Sequence, residues 1–229
     1  MKRIGLLGGM SWESSALYYQ AINEGVRERL GGLHSADLVM ISVDFADIER
    51  LQSSGDWERA GDILAEEAIR LERAGASCVV ICTNTMHKVA ERVQAAVGIP
   101  LLHLADVTAA AVIKAGVHRV ALLGTRFTMR EPFYRERLES RGLEVIVPPE
   151  ETQAILDGII YDELVLGVVT EASRAVYRKA IAGLIADGSE GVILGCTEIE
   201  LLVRPEDSAV PTFPTTALHA AAAVEFALG

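Results

Sequence analysis

Two short stretches of this 229-residue chain carry residues able to move a proton. One is Gly195-Cys196-Thr197-Glu198-Ile199 and the other is Cys82-Thr83-Asn84-Thr85-Met86-His87. Each follows an aliphatic run, Val192-Ile193-Leu194 or Val79-Val80-Ile81, and each precedes a segment with helical patterning. A buried strand ending in a small polar loop is where open α/β sheets place their chemistry. A thiol ionises at about 8.5 in the absence of other influences, so a modest downward shift makes it a base at neutral pH. A strand-to-helix turn supplies unpaired backbone N–H groups and partial positive charge. The sequence therefore predicts Cys196 as a thiolate held at a helix start, where a bound carboxylate is also favoured. The bland alternative, a buried structural thiol, fits Cys78 inside its strand better than Cys196 in its polar loop.

The surrounding elements alternate between strand and helix. Arg3 to Leu7 reads as a strand closed by Gly8-Gly9, and Ser11 as the N-cap of a helix carrying Leu17, Tyr18, Ile22 and Val26 at helical spacing. Leu38 to Phe45 is a second strand, followed by a loop carrying Gln52; Asp56 then opens a long helix that stops at Gly75. Cys78 to Cys82 is a third strand, residues 86 to 97 a helix, Leu101-Leu102 a further strand start, and residues 105 to 115 another helix. The rhythm then restarts with strands at Arg119–Leu123, Leu143–Val147 and Gly191–Leu194, helices between them, and a last helix from Thr215 to Leu228. Such alternation implies an α/β fold with parallel sheets flanked by helices. Ile4-Gly5-Leu6-Leu7-Gly8-Gly9 is similar to Val120-Ala121-Leu122-Leu123-Gly124-Thr125, offset by 116 residues, and Thr83 to Cys196 spans 113. The expected architecture is two pseudo-symmetric lobes, residues 1–104 plus 213–229 and residues 105–212, with the site in the interlobe cleft. Strand–helix alternation is generic enough to produce such a similarity by itself.

Composition bounds the rest. Half of the residues are hydrophobic and 23% are charged, so a compact globule is expected and disorder is excluded. The formal net charge of -11 argues against nucleic acid, which needs a basic face. Three cysteines without C-x-x-C spacing fit free thiols in a reducing cytoplasm. The apolar run before Gly8 is shorter than a signal peptide's core, and nothing approaches the ~18 apolar residues of a membrane span. The chain is expected to be cytoplasmic, with a small molecule as partner and neither nucleic acid nor membrane.

Taken together, Gly8-Gly9-Met10-Ser11 after the first strand, Asn84-Thr85-Met86-His87, and Gly195-Cys196-Thr197-Glu198 resemble the aspartate/glutamate racemase family, over essentially the whole chain. The resemblance implies a racemase of acidic amino acids that uses no cofactor, neither pyridoxal phosphate nor metal, and is built as a homodimer. Two family cysteines, one per lobe, flank the substrate Cα, one removing the α-proton and the other returning a proton to the far face. The family's first motif reads Cys-Asn-Thr-x-His, whereas the matching stretch here is Thr83-Asn84-Thr85-Met86-His87. Thr83 thus stands at the cysteine position and Cys82 lies one residue earlier. Neighbouring side chains at a strand end point to opposite sides, so Thr83 is expected to face the substrate and Cys82 the packing unless the backbone bulges.

The resemblance then gives catalytic roles to Cys196 and Thr83. Cys196 takes the α-proton of an L substrate, and Thr83, or a water it holds, reprotonates the opposite face, since a hydroxyl is a far poorer base than a thiolate. It also places the α-carboxylate among Met10, Asn84, Thr85 and Thr197, with Gln52 toward the distal group and Glu198 beside Cys196. Arg126 and Lys88 are the candidate cations for a distal carboxylate. His87 either orders its loop or serves as a proton partner. Rival readings are a single-cysteine decarboxylase or isomerase of the same superfamily, a broad-specificity racemase, and a non-catalytic amino-acid-binding protein. A nucleotide-dependent enzyme lacks its phosphate loop here.

Overall fold

The computed structural model describes all of residues 1–229. The chain forms two compact units, Met1–Leu104 with His219–Gly229 and Ala105–Leu218. No helix is long and apolar enough to cross a membrane.

The first unit runs β1 (Ile4–Gly8), α1 (Trp12–Leu30), β2 (Leu38–Ser42), α2 (Phe45–Ser54), α3 (Trp57–Arg73), β3 (Cys78–Ile81), a 3₁₀ turn (Thr85–Val89) and α4 (Ala90–Ala96). Its strands are parallel in the order β2-β1-β3, extended by an isolated bridge from Val79 to Leu101. Both faces of this sheet are covered, which accounts for continuous apolar strands rather than alternating ones. Leu7, Val79 and Ile81 pack with Leu64 and Leu71 of α3 and Val93 of α4. Ile4, Leu6, Cys78, Val80 and Cys82 pack on the other side with Tyr18, Ile22 and Val26 of α1 and with Ala220, Ala223 and Val224.

The second unit runs α5 (from Leu104 to Lys114), β4 (Arg119–Gly124), α6 (Arg126–Arg130), α7 (Pro132–Glu139), β5 (Glu144–Ile146), α8 (Glu150–Asp162), a 3₁₀ turn (Leu164–Leu166), α9 (Glu171–Ala186), β6 (Gly191–Gly195), α10 (Thr197–Leu202), β7 (Thr212–Pro214) and α11 (Thr215–Leu228). The boundary between the units falls within α11, after Leu218. The sheet is again parallel, in the order β5-β4-β6-β7. Strand for strand it repeats the first sheet, with β7 on β6 standing where Leu101 bridges β3. Leu123, Val192, Leu194 and Cys196 share one core with Leu156 and Ile159 of α8 and Tyr177 and Ile181 of α9.

Three expectations shift. The second strand stops at Ser42 rather than Phe45, because the Asp44 carboxylate accepts the Ala46 N–H at 3.0 Å and starts α2. Gln52 consequently lies on a helix and not on a loop. The chain returns to the first unit at His219 instead of residue 213, because β7 hydrogen-bonds to β6 in the second sheet. Leu101-Leu102 supplies only a bridge.

The turn after β1 admits no side chain. Gly9 sits at φ 92°, and a Cβ added there would run into the Val43 carbonyl and amide. Gly9→Ala is expected to destabilise the fold by about 2–4 kcal/mol, read as a lower urea midpoint at unchanged slope.

Candidate active site

In the first unit, the Cys82 N–H closes the sheet by donating to the Leu7 carbonyl at 2.9 Å, and its side chain is fully buried beside Tyr18 and Val80. Burial alone pushes that thiol far up, so Cys82 is inert at neutral pH. Thr83, one residue on, is only half-buried. Asn84, Thr85, Met86 and His87 follow, all buried.

His87 anchors this loop. The Leu104 N–H donates to His87 Nε2 at 3.2 Å, so that nitrogen is an acceptor and the proton resides on Nδ1. Nδ1–H in turn donates to the Thr83 carbonyl at 2.8 Å. With both ring nitrogens committed, His87 orders the Thr83 backbone and has no proton to exchange with a ligand. Burial, together with the neighbouring His103 and His219, holds its pKa well below the ordinary 6.5. The His87 ring lies edge-on to His103 and His219, with centroids 4.8 and 5.7 Å away. His219 is tied similarly, its Nδ1 accepting from the Tyr18 hydroxyl at 2.9 Å and its Nε2–H donating to the Leu102 carbonyl at 2.6 Å.

Met10 is buried where β1 gives way to α1. The Gly9 N–H donates to Ser15 Oγ at 2.8 Å, the Ser15 hydroxyl to the Ser11 carbonyl at 3.0 Å, and the Ser14 N–H to Ser11 Oγ at 3.2 Å. Ser11 is thus the N-cap of α1. Gln52 reaches the 83–87 stretch through Met86, its amide donating to the thioether sulfur at 3.0 Å. The two candidate cations are engaged elsewhere. Lys88 Nζ sits 3.9 Å from the Trp57 ring centre. The Arg126 guanidinium lies over Phe127, with its Nε 4.0 Å from Asp157 Oδ2, while the Arg126 backbone N–H donates to Asp157 Oδ1 at 2.8 Å.

In the second unit, β4 and β6 meet backbone to backbone at their ends. A Cβ on Gly124 would lie 2.9 Å from the Gly195 oxygen, and one on Gly195 would lie 2.7 Å from the Leu123 oxygen. Cys196 follows directly, extended at φ -156° and buried. Its Sγ–H donates to Glu198 Oε2 at 2.9 Å. This arrangement overturns the expectation of a helix-stabilised thiolate. Burial, followed by the Glu198 charge and its hydrogen bond, raises the Cys196 pKa well above the ordinary value. The Glu198 and Ile199 N–H groups pull the other way but do not prevail, and α10 has only six residues to build a dipole. Cys196 rests as a thiol whose proton is already directed at a carboxylate. Thr197 is buried, and its hydroxyl accepts from Thr216 at 3.1 Å.

Strand register relates the two loops. Leu7 pairs with Ile81 in the first sheet and Leu123 with Leu194 in the second. Matching Leu7 to Leu123, as Gly8 matches Gly124, puts Ile81 at Leu194, Cys82 at Gly195 and Thr83 at Cys196. Face parity agrees: Cys82 packs with Val80 on one face, whereas Cys196 packs with Leu194, the counterpart of Ile81 on the other.

Sequence reasoning missed Tyr18, Glu200, Thr215, Thr216 and His219. The available signal was Thr215, Thr216 and His219 at the head of a helix that, apart from Glu225, is otherwise made of Ala and large apolar residues.

Two buried histidines that stay neutral make the first unit sensitive to acid. Burial lowers the His219 pKa to about 4 from 6.5. The unfolded chain therefore takes up a proton below 6.5 that the folded one refuses until about 4, and stability falls with pH in that window. In His219→Gln, unfolding free energies measured by urea across that window should decline less steeply, by about 1.4 kcal/mol per pH unit.

Residues 7–223 match the sequence pattern of the family described as Asp/Glu/Hydantoin racemase. The chain is 53% identical to the crystal structure of an Asp/Glu racemase candidate from Yersinia pestis, over 100% of both chains, with a TM-score of 0.95. It is 36% identical to an aspartate racemase homologue from Pyrococcus horikoshii OT3, again over 100% of both chains, with a TM-score of 0.89. Among curated proteins it is 21% identical to the broad specificity amino-acid racemase RacX of Bacillus subtilis (strain 168), over 96% of each.

Proposed function

The chain belongs to the Asp/Glu/hydantoin racemase family, and on that premise we propose that it racemises an acidic amino acid, aspartate or glutamate, with Cys196 and Thr83 as an unequal catalytic pair. Membership makes it an isomerase, an amino-acid racemase. The observation that carries the finer reading is the register that sets Thr83 equivalent to Cys196. One position holds a thiol beside a carboxylate and the other a bare hydroxyl.

On this reading the Cys196 proton passes to Glu198 Oε2 along the hydrogen bond already present. The thiolate then removes the α-proton, leaving a carbanion whose charge spreads into the α-carboxylate. Donors from Met10, Asn84, Thr85 and Thr197 hold that carboxylate. Thr83, or a water bound to it, protonates the opposite face and recovers its proton from solvent, while Cys196 returns its acquired proton to bulk water. The L enantiomer is the substrate served by Cys196. Enantiomers have equal free energy in water, so kcat/KM must match for both directions, and the asymmetry resides in kcat and KM separately and in exchange with solvent. The half-buried exposure of Thr83 and the complete burial of Cys82 support giving the role to the threonine.

Broad specificity is a second reading of the side-chain preference. It is favoured by the engagement of Lys88 with Trp57, of the Arg126 guanidinium with Phe127 and Asp157, and of Gln52 with Met86, and by the likeness to RacX. We place the protein in the cytoplasm, which its three free thiols support, and assign it a homodimer on family resemblance.

Proton NMR in D₂O tests the assignment. Purified protein should exchange the Cα proton of L-aspartate or L-glutamate faster than that of the D form, and Cys196→Ala should lower exchange at least about a thousandfold. Thr83→Cys should bring the two exchange rates together. Equal rates from both enantiomers in the unaltered protein would sink the unequal pair. Loss of CO₂ from a malonate-type acid without racemisation would replace it with the decarboxylase reading.

A further inference from the structure

Behind the Cys196 turn lies a buried polar cluster of which the proposed chemistry uses only Thr197. Glu200, on α10, points at the first turn of α11, where its Oε1 accepts the Thr216 N–H at 2.7 Å. The Thr215 hydroxyl donates to the Leu194 carbonyl at 2.8 Å, tying that turn to the end of β6. The Thr216 hydroxyl donates to Thr197 Oγ1 at 3.1 Å. Thr197, Thr215 and Thr216 are all buried, and all four residues belong to the second unit.

A hydroxyl has one proton and two lone pairs. Because Thr197 accepts the proton of Thr216, its own proton is turned away from that partner, and the Thr197 hydroxyl makes no other hydrogen bond within its unit. The cluster thereby converts an amphoteric hydroxyl into a directed donor. Such a donor suits an anionic ligand and disfavours a cationic or donating one.

We infer that Thr216 is a positioning residue that sets Thr197 as a hydrogen-bond donor to the substrate α-carboxylate, and that Glu200 holds Thr216 in place by capping its backbone N–H. The inference rests on the reading of Thr197 as a carboxylate contact. A carboxylate in this position is costly: burial pushes Glu200 up to about 7 against the opposing hydrogen bonds from Thr216, Ala217 and Thr215. A packing role alone would be met by an apolar side chain on α10, whereas an acceptor for Thr216 N–H requires a polar one.

The test is steady-state kinetics on L-aspartate with the full-length protein. Thr216→Val should raise KM about fivefold to tenfold, the scale of one neutral hydrogen bond, and leave kcat within about twofold. Thr216→Ser keeps the hydroxyl and should hold KM within about twofold of the unaltered protein. Thr197→Val should raise KM similarly, and adding Thr216→Val or Glu200→Gln to it should raise KM no further. Should Thr216→Val fail to fold, Glu200→Gln carries the same comparison, with a smaller KM rise that again vanishes beside Thr197→Val. Additive effects, failure of serine to rescue, or a fall in kcat at constant KM would overturn the inference while leaving the role of Thr197 standing. An unchanged KM in Thr197→Val would overturn that role and the inference with it.

Discussion

A thiol buried beside a carboxylate has in that carboxylate its nearest acceptor for the proton it must lose to become a base. This constraint governs the second unit. Cys196 lies at the end of a fully buried strand and within a core of Leu156, Ile159 and Tyr177, where bare charge is disfavoured. The Glu198 oxygen at 2.9 Å makes the ionised thiol harder to form in isolation, yet gives its proton a short path to leave. Proton position within the Cys196–Glu198 pair is the relevant variable. The surrounding elements serve to fix this pair. Gly124 and Gly195 let two strand ends close without intervening side chains, and the short α10 turns Glu198 back over the sulfur.

Much of the fold was legible because its determinants are local. Ser11 and Asp56 announce helix starts with side chains that cap backbone N–H groups, and the continuous apolar strands announce sheets covered on both faces. The helix α2 was not legible: Phe45–Ser54 carries charged and polar residues through its length, and its start depends on one Asp44 hydrogen bond. Nor was β7, three residues long and ending in Pro214, whose strand character comes from pairing with β6. The site divides the same way. Resemblance to the family's Cys-Asn-Thr-x-His motif marks Thr83 as the counterpart of Cys196, and the strand register gives the same pairing. The protonation state of Cys196 was misread because helix position is local, whereas burial and the reach of Glu198 are tertiary. Glu200 and Thr216 lie 16 residues apart on different helices and meet only after folding.

Buried titratable groups in the two units act on stability in opposite senses. His219 is held neutral, so its contribution is complete above 6.5 and is lost as pH falls through about 4. Glu200, raised from 4.5 to about 7, contributes fully below 4.5 and loses that contribution as pH rises through about 7. Over the shared interval each changes stability by about 1.4 kcal/mol per pH unit with opposite sign, so one offsets the other. His87, lowered like His219, leaves the net balance tilted against acid. Between pH 4.5 and 6.5 the net slope is therefore smaller than the opposed contributions it sums.

The two loops share a backbone position but not a design. At Cys196 the side chain is paired and the proton has a defined acceptor, so the chemistry is tuned through the residue itself. At Thr83 nothing tunes the hydroxyl; what is held is its backbone, through a carbonyl pinned by His87 Nδ1–H at 2.8 Å. His87 can do this only while neutral, since protonation would place a donor on Nε2 against the Leu104 N–H at 3.2 Å. A hydroxyl group cannot compete with a thiolate in removing an α-proton, but it needs only correct placement to deliver one to a carbanion, which is among the strongest bases in the reaction. On the proposed pairing, a rigidly placed hydroxyl and an exchangeable thiol proton would suffice for racemisation provided the weaker side acts second, and that ordering is what the proposed preference for the L enantiomer means physically.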